Sequence, residues 1–126
     1  MQDKEPFVVF VIDDNPFYGT LLLRYFSEYA SEVKLFQNYD ALKGELYRNP
    51  NIILLDYYLG EAQDGLDVLR QIKRTNPDIP VVLHSCEEGV EVAISALQFG
   101  AFDFIERNDG IFLKLDRVIK DLKNAH

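Results

Sequence analysis

The chain has 126 residues, 48% hydrophobic and 27% charged, and a net charge of -8 at neutral pH. That length allows one domain, here residues 1–126, able to bury about two thirds of its unfolded surface without staples. The acidic balance excludes direct nucleic-acid binding, which needs a basic face. The single cysteine, Cys86, excludes an internal disulfide and suits a reducing compartment. Met1 to Pro6 is charged rather than apolar, unlike a signal peptide. No apolar run approaches the ~18 residues that span a bilayer, so a cytoplasmic protein with no membrane partner is expected.

Phe7-Val8-Val9-Phe10-Val11-Ile12 reads as a first strand buried on both faces, ending in Asp13-Asp14. Asn15 is placed to cap the next helix, with Pro16 at its first position. That helix carries an apolar stripe of Tyr18, Leu21, Leu22, Tyr25, Phe26 and Tyr29. Val33 to Phe36 is a short second strand, and Asn38 caps a modest helix through Leu42 and Leu46 that Asn49-Pro50 ends. Asn51-Ile52-Ile53-Leu54-Leu55-Asp56 is a third strand, again an unbroken apolar run that delivers one acid to its carboxyl end. Asp64-Gly65 starts a helix packing through Leu66, Leu69 and Ile72 and stopping before Asn76-Pro77. Ile79 to Leu83 forms a fourth strand running into His84-Ser85-Cys86. A helix with Val90, Ala93, Ile94 and Leu97 follows, closed by Gly100. Phe102 to Ile105 is a fifth strand leading to Glu106-Arg107, and the last helix packs through Phe112, Leu115, Val118, Ile119 and Leu122. Such alternation predicts a doubly wound α/β fold: a five-stranded parallel sheet with helices on both faces.

Sites in open α/β sheets lie beyond the carboxyl ends of the strands. If the first and third strands are neighbours, Asp13, Asp14 and Asp56 converge at one rim and repel each other. Oxygen-rich clusters of this kind suit Mg²⁺, which would cancel the repulsion and leave a carboxylate oxygen free to attack an electrophile. Phosphoryl transfer fits, with Asp56 as nucleophile because its strand is uninterrupted. Ser85 and Arg107 follow their strands to the same rim and are apt donors to phosphoryl oxygens.

The acid pair Asp13-Asp14, the strand-terminal Asp56, Asp64-Gly65, Ser85 and Gly100-Ala101-Phe102-Asp103-Phe104-Ile105, taken in order, resemble the receiver domain of two-component response regulators. The resemblance spans nearly the whole chain. It implies a flavodoxin-like sheet of strand order 2-1-3-4-5 and a signalling domain rather than an enzyme, acting chemically only on its own Asp56. It further implies transfer of a phosphoryl group to Asp56 from a phosphohistidine of a sensor kinase or phosphotransfer protein. Asp13, Asp14, Asp56 and the backbone carbonyl of Tyr58 would hold Mg²⁺. Ser85 would move to bond the phosphoryl oxygen and Phe104 would turn inward behind it. That would rearrange the face of the fourth helix, fifth strand and fifth helix for a downstream protein or fused effector domain.

Departures from the family pattern cluster at the rim. Arg107 stands where lysine is usual, and its planar fork is not equivalent to a point charge. Asn108 replaces a proline, Gly60 stands where proline is common, the segment from Asp56 to Asp64 is one residue longer, and Cys86 replaces a very small residue. Arg107 and the altered loop favour a second reading, a degenerate receiver that binds partners without phosphate. A haloacid-dehalogenase-type phosphatase wants a second acid at position 58, where Tyr58 stands, and a flavodoxin-type cofactor binder wants a glycine-rich phosphate loop after the first strand. His84 reads as a buried structural histidine, Tyr57 and Tyr58 equally as a shield for the rim or as aromatic packing beside it, and Glu87-Glu88 as a helix start.

Overall fold

The apolar runs of the three central strands demand cover on two sides, and the chain supplies it. A computed structural model describes residues 6–59, 64–85, 90–108 and 110–124. Strands β1 (Val8–Ile12), β2 (Glu32–Phe36), β3 (Ile52–Asp56), β4 (Val81–Ser85) and β5 (Asp103–Glu106) form one sheet in the order β2-β1-β3-β4-β5. Every pairing is parallel. The helices are α1 (Pro16–Phe26), α2 (Tyr39–Lys43), α3 (Gly65–Thr75), α4 (Val90–Gln98) and α5 (Ile111–Lys123). This is the doubly wound arrangement expected from the alternation, with the expected strand order. Among the described residues, no helix is long and apolar enough to cross a membrane.

Because strand side chains alternate, the sheet divides the core in two. Val9, Val11, Ile52, Leu54, Val82 and Ile105 pack with Leu22 and Phe26 of α1 and Leu115, Val118 and Ile119 of α5. Phe10, Ile12, Ile53, Leu55, Val81 and Leu83 pack with α2, α3 and Ala96 of α4. Helix starts follow local chemistry. The Asn15 side chain accepts from the Tyr18 amide (3.1 Å) with Pro16 at the first position. Asn38 does the same for Ala41 (2.8 Å) and Asp64 for Asp67 (2.9 Å). At the end of α4, Gly100 takes φ +100° and the Ala101 amide donates to the Ala96 carbonyl (2.9 Å), the closing bond of a left-handed helix cap.

Several boundaries differ from expectation. β4 begins at Val81, not Ile79, since Pro80 has no N–H for the ladder. It also runs on through His84 and Ser85. β5 covers Asp103–Glu106, leaving Phe102 exposed. The helix expected from Asn38 through Leu46 breaks after Lys43, and Leu46–Arg48 forms a separate 3-10 turn. In α5, Ile111 is the buried residue of the first turn and Phe112 lies at the edge; in α1, Leu21 is exposed. The largest correction is α4. Its expected packing residues Val90, Ile94 and Leu97 are exposed, and Ala96 is the buried position. Alanine lets the helix lie close on the sheet, and the larger apolar side chains are turned outward.

Candidate functional site

β1 and β3 are neighbours, with Ile12 opposite Leu55, so the residues that follow come out side by side. Alternation then decides the direction. Asp13 continues the series Val9–Val11, Asp56 the series Ile52–Leu54, His84 follows Val82 and Arg107 follows Ile105, all on the α1–α5 face of the sheet. Asp13, Asp14 and Asp56 each offer a carboxylate oxygen, and these lie within 4.8 Å of one another. Asp13 and Asp56 are buried and Asp14 is exposed. Two short bonds aim the buried pair: Asp13 Oδ1 accepts from the Asn15 amide (2.9 Å) and Asp56 Oδ1 from the Tyr58 amide (3.1 Å).

The Arg107 amide donates to the Ser85 carbonyl (2.7 Å), which carries the β4–β5 ladder one residue past β5. Its side chain then turns across the rim. Nη2 lies 3.0 Å from Asp13 Oδ2, 3.2 Å from Asp56 Oδ2 and 3.1 Å from His84 Nδ1. The guanidinium carbon sits 3.7 Å from the centroid of the Tyr18 ring. Two buried acids therefore share one cation, and the balance shows in their acidity. Burial pushes the Asp56 carboxyl up to about 7, with the Asp13 charge adding to the rise and Arg107 and the Tyr58 amide opposing it. Asp13 is raised as well, chiefly by burial, against the pull of the Asn15 amide and Arg107. His84 is pushed down to about 3 by burial and by Arg107, which leaves the ring neutral; because Nδ1 faces a guanidinium that can only donate, Nδ1 accepts and the proton sits on Nε2.

The rim gathers Asp13, Asp14 and Asp56 within 4.8 Å of one another, with Arg107 paired to Asp13 and Asp56. Ser85 is buried at the end of β4, and its Oγ has no hydrogen-bond partner among the described residues. Phe104 is half-buried and packs against the α2–α4 layer. Tyr58 is exposed beside the rim, bridged to Asp64. Gly60 to Gln63, Cys86 and Glu87-Glu88 lie outside the described residues. The donor set of three carboxylates fits Mg²⁺: hard oxygens, a solvent-facing Asp14 that leaves room for waters, and free lone pairs on Asp13 and Asp56 beyond those facing Arg107. Two contributors are not legible as such in the sequence, where Tyr18 falls in an apolar stripe and His84 in a buried strand. Strand register could have revealed the latter, since His84 is level with Asp56.

The sequence model of the response regulator receiver domain matches residues 9–110. The nitrogen assimilation regulatory protein NtrX of Azorhizobium caulinodans is 32% identical over 120 residues, covering 91% of this chain and 26% of that protein. The chain thus spans about a quarter or less of the length of the curated relatives it matches. Among solved structures, the receiver domain of NtrX from Brucella abortus superimposes with a TM-score of 0.80 at 33% identity, covering 90% of this chain and 96% of that one. A CheY-like receiver domain protein from Methanospirillum hungatei reaches 0.83 at 15% identity over 94% of this chain and 95% of that one, a likeness of fold alone.

Proposed function

The chain belongs to the response regulator receiver domain family of two-component signalling, and from that premise we propose that Asp56 is its phosphoacceptor. One observation carries the reading: Asp56 ends the central strand buried, oriented by the Tyr58 amide and 3.2 Å from a guanidinium. The donor is a phosphohistidine of a sensor kinase or phosphotransfer protein. An Asp56 oxygen bonds to phosphorus as the phosphorus–nitrogen bond breaks, and the departing imidazole nitrogen takes a proton from solvent. Arg107 neutralises charge on the phosphoryl oxygens, and the Ser85 hydroxyl, without a partner among the described residues, gains an acceptor there. Asp13, Asp14, Asp56 and the Tyr58 carbonyl would hold Mg²⁺, which supplies further charge neutralisation when bound.

The output follows from what lies beside the rim. A shift of Ser85 toward the new phosphoryl group opens room for Phe104, on neighbouring β5, to turn inward. That alters the α4–β5–α5 face read by a downstream protein or a fused effector domain. The chain acts on its own side chain and turns over no other substrate. A second reading is favoured by Arg107, which already pairs with both buried acids: a phosphate-independent interaction module.

Intact-mass measurement after incubation with Mg²⁺ and acetyl phosphate separates the two. The phosphoacceptor reading expects a gain of one phosphoryl group that Asp56→Asn abolishes. No gain, with partner binding unaltered by Asp56→Asn, would leave the interaction module.

A further inference from the structure

Arg107 is held on more sides than charge pairing requires. Its guanidinium lies on the face of Tyr18, 3.7 Å from the ring centroid, while Nη2 meets Asp13, Asp56 and His84 Nδ1. Guanidinium has donors only, so the imidazole nitrogen facing it must accept. Tyr18 and His84 are themselves stacked, with ring centroids 5.9 Å apart and planes 27° from parallel. Neither ring is free to drift. The Tyr18 amide is tied to Asn15 Oδ1 (3.1 Å), and the Asn15 amide is tied to Asp13 Oδ1 (2.9 Å), so the loop that carries the first acid also carries the aromatic shelf. His84 sits within β4, level with Asp56 on β3 and Ile105 on β5.

We propose that Tyr18 and His84 are positioning residues that hold the Arg107 guanidinium flat, with one nitrogen set between Asp13 and Asp56 where the incoming phosphoryl oxygens are received. The proposal rests on Asp56 as the phosphoacceptor and gives the arginine its reason. A guanidinium has a flat face that stacks on an aromatic ring and a rigid fork that reaches several acceptors, whereas an ammonium is a compact point charge. The shelf and the arginine are therefore one device, and exchanging either alone undoes it.

Two readouts on the full chain test this. The first needs no phosphoryl chemistry: side-chain nitrogen NMR of Arg107 in metal-free buffer. Wild type and Tyr18→Phe, which keeps the ring, are expected to show resolved Nη signals from hindered rotation. Tyr18→Leu, which keeps apolar bulk without the ring, is expected to show averaged ones. The second is the rate of Asp56 phosphorylation by acetyl phosphate across a Mg²⁺ titration. Tyr18→Leu should slow the saturated rate roughly tenfold with the Mg²⁺ midpoint unmoved, Tyr18→Phe should restore it, and Arg107→Lys should add little to Tyr18→Leu. Averaged Nη signals in wild type, or equal rates for wild type and Tyr18→Leu, would overturn the proposal. If no form takes up a phosphoryl group, the phosphoacceptor reading falls, and the NMR result alone decides whether the shelf holds the arginine.

Discussion

At the rim of the sheet, Asp13 and Asp56 share the guanidinium of Arg107; at the seam between α1 and α5, one carboxylate, Asp116, receives the hydroxyls of both Tyr25 and Tyr29. The two places use similar groups to opposite effect. At the seam the donors outnumber the carboxylate. Burial and the Asp116 bond push the Tyr25 hydroxyl well above the ordinary phenol range, and the same bond raises Tyr29, so both stay protonated and donating. At the rim the acids outnumber the cation, and both carboxyls are raised instead. At the seam, neutral hydroxyls fill the acceptor sites of one carboxylate and tie two helices together. At the rim, two buried carboxylates repel each other across one guanidinium, and a further cation there would relieve that repulsion.

That contrast can be broken experimentally at either end. The largest effect is expected from Arg107→Met, which strands two buried acids. In the presence of chelator it should cost about 3 kcal/mol of stability by denaturant titration, and saturating Mg²⁺ should recover much of it. A loss that Mg²⁺ does not touch would mean that Arg107 is a packing residue and the rim is not short of charge.

Next comes Asp56→Asn, which removes the repulsion. Its folded acidity of about 7 lies above the ordinary 3.8, so the folded state holds the proton more tightly than the unfolded chain. The contribution of Asp56 to wild-type stability therefore falls as pH rises from about 4 to about 7 and then levels off. Without metal, the variant should be more stable by on the order of 2 kcal/mol at pH 8, the advantage fading as pH drops toward 4. A constant difference across that range would contradict the account.

The smallest changes belong to the seam. Tyr25→Phe should cost about 1 kcal/mol by urea titration, and Tyr29→Phe less than about 0.5 kcal/mol, because Tyr25 is the more enclosed and Asp116 keeps one donor in either case. Neither should respond to Mg²⁺. Were Tyr25→Phe to rival Arg107→Met, the seam would have to be ranked with the rim.

How much of this can be read in the chain varies by element. The runs at Phe7 to Ile12 and Ile52 to Leu55 announce strands covered on both sides, because every side chain in them is apolar. Asn15-Pro16, Asn38, Asp64 and Gly100 announce helix ends, because their side chains or their lack of one act within a few residues. The acids at Asp13, Asp14 and Asp56 are visible as strand-terminal groups. By contrast, the apolar positions of α4 satisfy a helical stripe on paper while Val90, Ile94 and Leu97 face outward. Periodicity finds an apolar face but not which neighbour covers it, and the close fit of Ala96 against the sheet decided the rotation.

Arg107 shows the same limit at the rim. Its place after β5 is local information, yet its contacts reach Tyr18, His84 and Asp56 from three other elements and Asp13 from the loop after β1. The sequence by itself determined which segments are strands and helices, where they stop and which acids stand at strand ends, since each of these depends on neighbours a few bonds away. Only the tertiary structure decided which of those ends touch, that one guanidinium serves two acids, and that a tyrosine face supports it. Those outcomes depend on distances through space between residues as far apart as Asp13 and Arg107, and no local pattern encodes them.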